Sequence, residues 1–156
     1  MRFVHESVLP VTPEEVWAFH ERSDAFALLQ PPWERSDIVV PPSGLEAGTR
    51  VELRARLGPF RVPIIAEHVA CEPGRSFEDV MRRGPFARWH HKHLFLDHAE
   101  GCLLRDEIDY APPLGWLGRL VDPLLVRPRL RRMFTYRHAV TRREVLAARD
   151  GVKARR

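Results

Sequence analysis

Hydrophobic and polar residues alternate through the middle of the chain, residues 33–110, with the period of two that is typical of β-strands. The alternation is clearest in residues 50–57, where valine, leucine and alanine alternate with arginine and glutamate. Clusters containing glycine or proline, which mark turns, interrupt it at residues 41–44, 58–59, 72–74, 84–85 and 100–101. The pattern predicts an antiparallel meander with one hydrophobic face. A bulge is predicted near Pro63, where the alternation is lost.

Helix-forming patterns come before this meander. Thr12, Pro13 and Glu15 supply a capping residue, a first-turn proline and a third-position glutamate, so a helix is predicted to begin at Pro13. A second short helix is predicted over residues 23–29, because the prolines that follow at 31–32 prevent its continuation. Together with residues 2–10, this predicts the order strand, helix, helix at the start of the chain.

After residues 112–113, both proline, the hydrophobic period becomes helical. Residues 114–121 predict a short apolar helix, which Asp122 and Pro123 interrupt. From about Pro128 a long helix is predicted, with a hydrophobic stripe of Leu130, Met133, Phe134, Val140, Thr141 and Val145. A curved sheet can bury its hydrophobic face against such a helix. We therefore predict an α+β fold in which about six to seven antiparallel strands wrap round the C-terminal helix, with a cavity between them.

Length and composition add further constraints. The 156 residues suit one domain, predicted over residues 1–150, with a frayed tail at 151–156. A hydrophobic fraction of 44% excludes a disordered protein. Cys71 and Cys102 lack metal-binding or redox spacing, and no basic-then-apolar leader precedes the first predicted strand. No apolar run reaches the roughly 20 residues that cross a bilayer. These features predict a cytoplasmic protein.

The charge pattern bears on the choice of partner. The net charge is +4, and the excess of arginine lies beyond residue 127. These arginines could contact phosphates, but no aromatic residues alternate with them as base-stacking platforms, so no nucleic-acid partner is predicted. Residues 114–121 are too short to hold a membrane surface firmly, and we predict that they form a lid over the cavity. No stable membrane insertion is expected.

One stretch carries a family resemblance. Its motif is Phe77-x-Asp79-x-Met81-x-x-Gly84-Pro85-Phe86-x-x-Trp89-x-His91-x-His93-x-Phe95, followed by Asp106-x-x-x-Tyr110, with Pro13-x-x-Val16-Trp17 and Phe134-x-Tyr136-Arg137 near the two ends. This pattern resembles the START-like (helix-grip, SRPBCC) superfamily, in particular its bacterial ligand-binding branch related to polyketide cyclase/dehydrase-type proteins. The resemblance implies a cavity between sheet and helix. It also implies a small, largely apolar ligand, such as a lipid, a quinone or a polyketide-like aromatic compound.

Polar residues lie on the face of the sheet that should be buried. Side chains two apart on a strand share a face, so Trp89, His91, His93 and Phe95 point inward together. If residues 100–101 form a two-residue turn, His91 lies opposite Tyr110, His93 opposite Ile108 and Phe95 opposite Asp106. An odd-length loop at residues 84–85 sets Asp79 beside His91. We predict a row of Asp79, His91 and Tyr110 across three strands, with His93 and Asp106 near it.

This row admits several roles. It could be a satisfied structural network or the polar anchor of a ligand. In an enzyme, His91 could be a base oriented by Asp79, with Tyr110 or Asp106 as proton donor, as in a cyclase or dehydratase. The His91-x-His93 pair could also bind zinc, with only Asp79 or Asp106 as a third ligand.

We predict ligand binding without metal or cofactor. The predicted ligand-binding residues are Phe77, Asp79, Met81, Trp89, His91, His93, Phe95, Asp106, Ile108, Tyr110, Phe134 and Arg137. The predicted cavity wall consists of Val51, Leu53, Phe77, Met81, Trp89, Phe95, Ile108 and Phe134. The remaining histidines are predicted at the surface or rim, namely His5, His20, His68, His90, His98 and His138.

Overall fold

A computed structural model describes residues 1–153 of the chain. It contains one seven-stranded antiparallel sheet, in the spatial order β1-β7-β6-β5-β4-β3-β2. The strands are β1 Arg2–Leu9, β2 Ser36–Val40, β3 Arg50–Leu57, β4 Phe60–Glu72, β5 Ser76–Arg83, β6 Arg88–His98 and β7 Gly101–Ala111. The predicted meander is confirmed for β2 to β7, and the first strand completes the sheet by pairing with the last.

The helices precede and follow this meander. They are α1 Pro13–His20, α2 Ala25–Leu28, α3 Trp116–Val121 and α4 Arg127–Lys153, with a π-helical turn, Asp122–Val126, between the last two. The predicted capping box at Thr12 and Glu15 is present at the start of α1. Within residues 1–153, none of the helices combines the length and the hydrophobicity that a membrane span requires. Helix α4 includes residues 151–153 of the predicted tail, and the rest of that tail lies outside the described residues.

Helix α4 packs over one half of the sheet. Phe134 of α4 contacts Phe3 of β1 with ring centroids 5.7 Å apart, and both side chains are buried with Ile108 and Tyr110 of β7. A second cluster lies under α1, where Trp17 packs edge-on against Phe95 at 5.6 Å. The buried stripe of α4 is therefore as predicted, and it covers β1 and β7 rather than the whole sheet.

The predicted bulge near Pro63 is wrong. Pro63 pairs regularly with Arg54 of β3, and the irregularities of β4 lie further along, between Ile65 and Ala66 and between His68 and Ala70. Pairing between β4 and β5 begins only at Ile65, so Pro63 has a strand on one side only. A missing backbone donor is tolerated at such a position.

The turn between β6 and β7 also differs from the prediction. It consists of residues 99–100, and Gly101 is the first residue of β7, paired with His98. Gly101 has φ 130°, and a Cβ there would lie 2.2 Å from the carbonyl oxygen of Leu9. The glycine is therefore needed for a close approach of β1 and not for the turn itself. The register is shifted by two residues, which leaves the inward-facing set of side chains unchanged.

Residues 112–126 connect the sheet to α4 over an exposed path. Leu114 and Gly115 both have positive φ, at 64° and 56°. Seven large apolar side chains of this segment are between 43% and 79% exposed, namely Leu114, Trp116, Leu117, Leu120, Val121, Leu124 and Leu125. Few of its side chains are held by the core.

We expect residues 114–126 to exchange their amide hydrogens much faster than β6 and β7, by about a hundredfold or more, because exposed segments with few buried contacts open locally at low cost. Hydrogen exchange with mass spectrometry on the native protein measures this directly. Protection equal to that of β6 would contradict the predicted role of this segment as a lid.

Candidate functional site

A partly open cavity of about 450 Å³ lies between α4 and the inner face of β3 to β6. Side chains of β3, β4, β5 and β6 form one wall, and Met133 and Arg137 of α4 form the other. Pro113, Leu125 and Val126 lie at its edge. Of residues 114–126, predicted to gate the cavity, Leu125 and Val126 therefore line it, whereas residues 114–121 do not.

Five of the eight predicted wall residues line the cavity, namely Val51, Leu53, Phe77, Met81 and Trp89. The other three do not line it. Phe95, Ile108 and Phe134 are packed in the core instead. Helix α4 packs over β1 and β7 and buries Ile108 and Phe134 there, whereas Phe95 is buried under α1 against Trp17.

A row of polar side chains lies beside this cavity, across three neighbouring strands. Asp79 of β5 pairs with His91 of β6, as predicted, and Asp106 of β7 pairs with His93. His91 Nε2 donates a hydrogen bond to Asp106 Oδ1 at 2.9 Å, and His91 Nδ1 lies 3.2 Å from Asp79 Oδ2. His91 therefore lies between two carboxylates.

The other histidine of β6 contacts the same two acids. His93 Nδ1 lies 2.8 Å from Asp106 Oδ1, and His93 Nε2 lies 3.5 Å from Asp79 Oδ2. The ring of His93 also stacks on Phe77, with centroids 4.0 Å apart. These contacts give the two histidines and two aspartates one connected arrangement.

Burial and the neighbouring charged groups shift the pKa values of His91, Asp79 and Asp106 in opposite directions. Burial lowers the pKa of His91, but the hydrogen bonds that its ring donates to Asp106 and Asp79 outweigh burial and raise this pKa to about 9. Burial raises the pKa of Asp79 and Asp106, and the histidines beside them bring both well below the ordinary carboxyl value. Both directions agree with the prediction that Asp79 keeps its charge and holds His91 protonated to a higher pH than a free imidazole.

Tyr110 is not part of the row, contrary to the prediction. Its backbone pairs with Trp89, and its hydroxyl donates a 2.6 Å hydrogen bond to Asp122 Oδ1 in the π-helical turn. The two-residue register shift moves Asp106 into the place that the sequence assigned to Ile108, opposite His93. The third strand therefore contributes a carboxylate to the row and not a phenol.

Sequence reasoning missed His138, which was predicted at the surface or rim. It is buried in α4, where Nε2 donates to Asp106 Oδ2 at 2.6 Å and Nδ1 hydrogen-bonds Ser7 Oγ at 2.8 Å. Position 138 follows Phe134 by four residues and precedes Thr141 by three, which is the spacing of the buried stripe. That periodicity could have identified it.

Two further histidines that were predicted at the surface or rim line the cavity. His20 Nδ1 donates to the carbonyl of Val16 at 2.8 Å, and burial lowers the pKa of its ring to about 4. His68 of β4 is buried and lines the cavity, and its Nδ1 has no hydrogen-bond partner within residues 1–153. His68 pairs with Asp79 across β4 and β5.

Arg137 brings a positive charge to the cavity. Its Nε donates to the carbonyl of Leu29 at 3.2 Å, and its guanidinium lies 5.4 Å from the ring centroid of Phe134. Burial lowers the pKa of this guanidinium. In residues 1–153 it forms no ion pair with a carboxylate, so its remaining donors are available to a bound molecule.

The predicted ligand-binding residues thus fall into two groups. The residues that line the cavity are Phe77, Asp79, Met81, Trp89, His91, His93 and Arg137. The residues that lie behind it are Phe95, Asp106, Ile108, Tyr110 and Phe134. Of the second group, Asp106 alone reaches the row through its contacts with the two histidines.

Comparisons with known proteins agree with this architecture. Residues 9–134 match the model of a family described as "Polyketide cyclase / dehydrase and lipid transport". The search among curated proteins gives no match.

Solved structures share the fold. TTHA0849 from Thermus thermophilus is 19% identical, with a TM-score of 0.72 over 95% of this chain and 99% of that one. Norcoclaurine synthase from Thalictrum flavum, in complex with dopamine and hydroxybenzaldehyde, is 14% identical, with a TM-score of 0.69 over 94% and 87%. Ara h 8.0201 is also 14% identical, with a TM-score of 0.66 over 94% and 98%. The chain therefore belongs to the polyketide cyclase/dehydrase and lipid transport family, within the START-like (SRPBCC) superfamily.

Proposed function

We propose that the protein binds a small, mainly apolar molecule with one acceptor group, such as a carbonyl or carboxylate, in the cavity between α4 and the sheet. The observation that supports this most strongly is the composition of the cavity wall, which is apolar over most of its area and charged at the His91 row and Arg137. Ligand pockets commonly combine apolar walls with a few convergent polar groups.

Arg137 is the group best placed to bind the acceptor. Both ring nitrogens of His91 face carboxylates, so its N–H groups are already used within the protein. The guanidinium of Arg137 has five N–H donors, of which Nε–H is used by Leu29. A carbonyl or carboxylate oxygen of the ligand would accept from the others, while Asp79 and His91 keep this end of the cavity polar.

The size of the cavity limits the ligand. About 450 Å³ lies at the lower end of the 300–1,000 Å³ that is usual for small-molecule pockets, so a compact aromatic or a short-chain lipid fits better than a long acyl chain. Quinones, polyketide-like aromatics and fatty acids all carry the acceptor that Arg137 requires. The bound dopamine and hydroxybenzaldehyde of the Thalictrum flavum enzyme are aromatic molecules of this size class.

A cyclase or dehydratase acting through His91 and Asp79 is the alternative. It would use His91 as the base oriented by Asp79, with Tyr110 or Asp106 as the predicted proton donor. Tyr110 is bound to Asp122 away from the cavity, and Asp106 accepts hydrogen bonds from His91 and His138. Within the row, each His91 nitrogen already faces a carboxylate oxygen. The geometry therefore supports ligand binding better than acid–base catalysis.

Filling the cavity tests the proposal. Ala66 of β4 lines the cavity, and Ala66→Phe places a ring in it. We expect this variant to bind anilinonaphthalene sulfonate, an aromatic anion, about tenfold more weakly or worse than the unmodified protein, because overpacking costs about 1–3 kcal/mol. A fluorescence titration at neutral pH measures the dissociation constant.

Ala70→Phe is the matched control, because Ala70 lies on the same strand and is exposed. It should bind the probe as the unmodified protein does. Arg137→Met should weaken binding of the sulfonate and leave binding of the neutral phenylnaphthylamine nearly unchanged. Equal binding of the sulfonate by all four proteins would reject both the cavity and the anchor.

A further inference from the structure

Three side chains of the polar row converge as metal ligands do. Asp79, His91 and His93 each bring one potential ligand atom within 4.8 Å of the others. Asp79 Oδ2 lies 3.2 Å from His91 Nδ1 and 3.5 Å from His93 Nε2. In a tetrahedral zinc site with bonds of about 2.0–2.1 Å, ligand atoms are about 3.3 Å apart. These two separations are already those of a coordination shell.

Asp106 supplies the carboxylate that commonly accepts a hydrogen bond from the non-ligating nitrogen of a metal-binding histidine. Its Oδ1 accepts a hydrogen bond from His91 Nε2 and lies 2.8 Å from His93 Nδ1. Both histidines therefore direct their other nitrogen, Nδ1 of His91 and Nε2 of His93, towards Asp79. A carboxylate behind a histidine fixes the ring orientation of a metal ligand, and here one carboxylate does so for two rings. Metal binding at Nδ1 of His91 would displace the proton that this nitrogen carries.

Asp106 is itself held in place. Its second oxygen accepts from His138 at 2.6 Å, so α4 orients the carboxylate from the opposite side. Asp106 is only 3% exposed. The carboxylate that orients both histidines is therefore held rigidly, which favours a preformed metal site.

The three candidate metal ligands border the cavity, which leaves room for a further ligand on an ion that they hold. Asp79, His91 and His93 all line it, together with His68, whose Nδ1 is buried without a partner within residues 1–153. Three protein ligands with one position open is the arrangement of zinc sites that also contact a small molecule. The aromatic ring of Phe77 stacks on His93 and also lines the cavity.

We propose that Asp79, His91 and His93 form a binding site for a first-row divalent metal ion, with Zn²⁺ as the best match, whose open coordination position faces the cavity. Two imidazoles and one carboxylate suit Zn²⁺ and Fe²⁺, and the set is too small for Ca²⁺, which takes six or more oxygen ligands. This site does not depend on the proposed apolar ligand and stands if that proposal fails.

The experiment uses the full chain without an affinity tag, freed of metal with a chelator and then titrated with zinc chloride by calorimetry. We expect one Zn²⁺ per chain, and visible absorption bands of tetrahedral Co²⁺ when cobalt is used instead. Asp79→Asn and His93→Gln should each weaken Zn²⁺ binding about a hundredfold or more, and Asp106→Asn about 10- to 100-fold. Circular dichroism establishes which variants are folded.

Glu78 and His90 provide the matched control. They pair 2.7 Å apart on the outer face of the same two strands, one residue before Asp79 and His91. Glu78→Gln and His90→Gln should leave Zn²⁺ binding unchanged. The proposal is overturned if the folded, unmodified protein takes up no stoichiometric Zn²⁺, or if folded Asp79→Asn and His93→Gln bind it as tightly as the unmodified protein.

Discussion

Replacing Asp106 by asparagine is expected to lower the free energy of unfolding by about 3–5 kcal/mol, the usual cost of removing one partner from a buried ion pair. The carboxylate is almost completely buried and contacts His91, His93 and His138. An amide of the same shape keeps the packing, but it carries no negative charge and cannot accept hydrogen bonds from all three rings. His91 would then keep only Asp79 as its counter-charge.

Urea unfolding at pH 7 with a chelator present measures this loss. The control is Asp109→Asn, because Asp109 lies on the same strand with an exposed side chain. Surface substitutions of this kind change stability by about 0.5 kcal/mol or less. A loss below about 1 kcal/mol for Asp106→Asn would show that the row contributes little to stability.

Stability is also expected to fall as the pH rises from about 6.5 to 9. The pKa of His91 is raised from its ordinary 6.5 to about 9 in the folded protein. A raised histidine pKa contributes stability that is complete below the unfolded value and is lost as the pH passes through the folded value. The shift corresponds to about 3 kcal/mol across this range, as one pKa unit is about 1.4 kcal/mol.

Urea midpoints measured at several pH values between 6 and 9.5, without metal, report this loss. His91→Gln removes the titrating group and should flatten the profile while lowering stability at pH 6.5. His20 titrates below the window, because burial lowers its pKa to about 4, and burial raises that of Cys102 to about 11, above the window. A profile for the unmodified protein as flat as that of His91→Gln would contradict the assignment.

The local patterns were sufficient for the fold. Turn residues, the capping box at Thr12 and the stripe of α4 are local features, and each determines an element with little help from the rest of the chain. Strand parity placed Trp89, His91, His93 and Phe95 on one face correctly. Parity could not give the register of β6 and β7, because a shift by two residues preserves every inward-facing position.

The parts of the site that were missed are set by long-range packing. No local pattern shows that α4 covers β1 and β7, and this placement moves Ile108 and Phe134 from the cavity to the core. The contact between His138 and Asp106 joins residues 32 positions apart. Such contacts depend on the complete tertiary arrangement, whereas the pairing of Asp79 with His91 required only one hairpin.

The buried row has a consequence for how reliably the sheet assembles. Hydrophobic alternation alone is equally consistent with a β6–β7 register shifted by two residues, in which Asp106 lies opposite Phe95. In that alternative the carboxylate loses His93 as its cross-strand partner, and an unpaired buried charge costs several kcal/mol. The histidines of β6 therefore select one hairpin among arrangements that are equally hydrophobic. In the observed hairpin His138 of α4 also contacts Asp106, so the docking of α4 reinforces the selection.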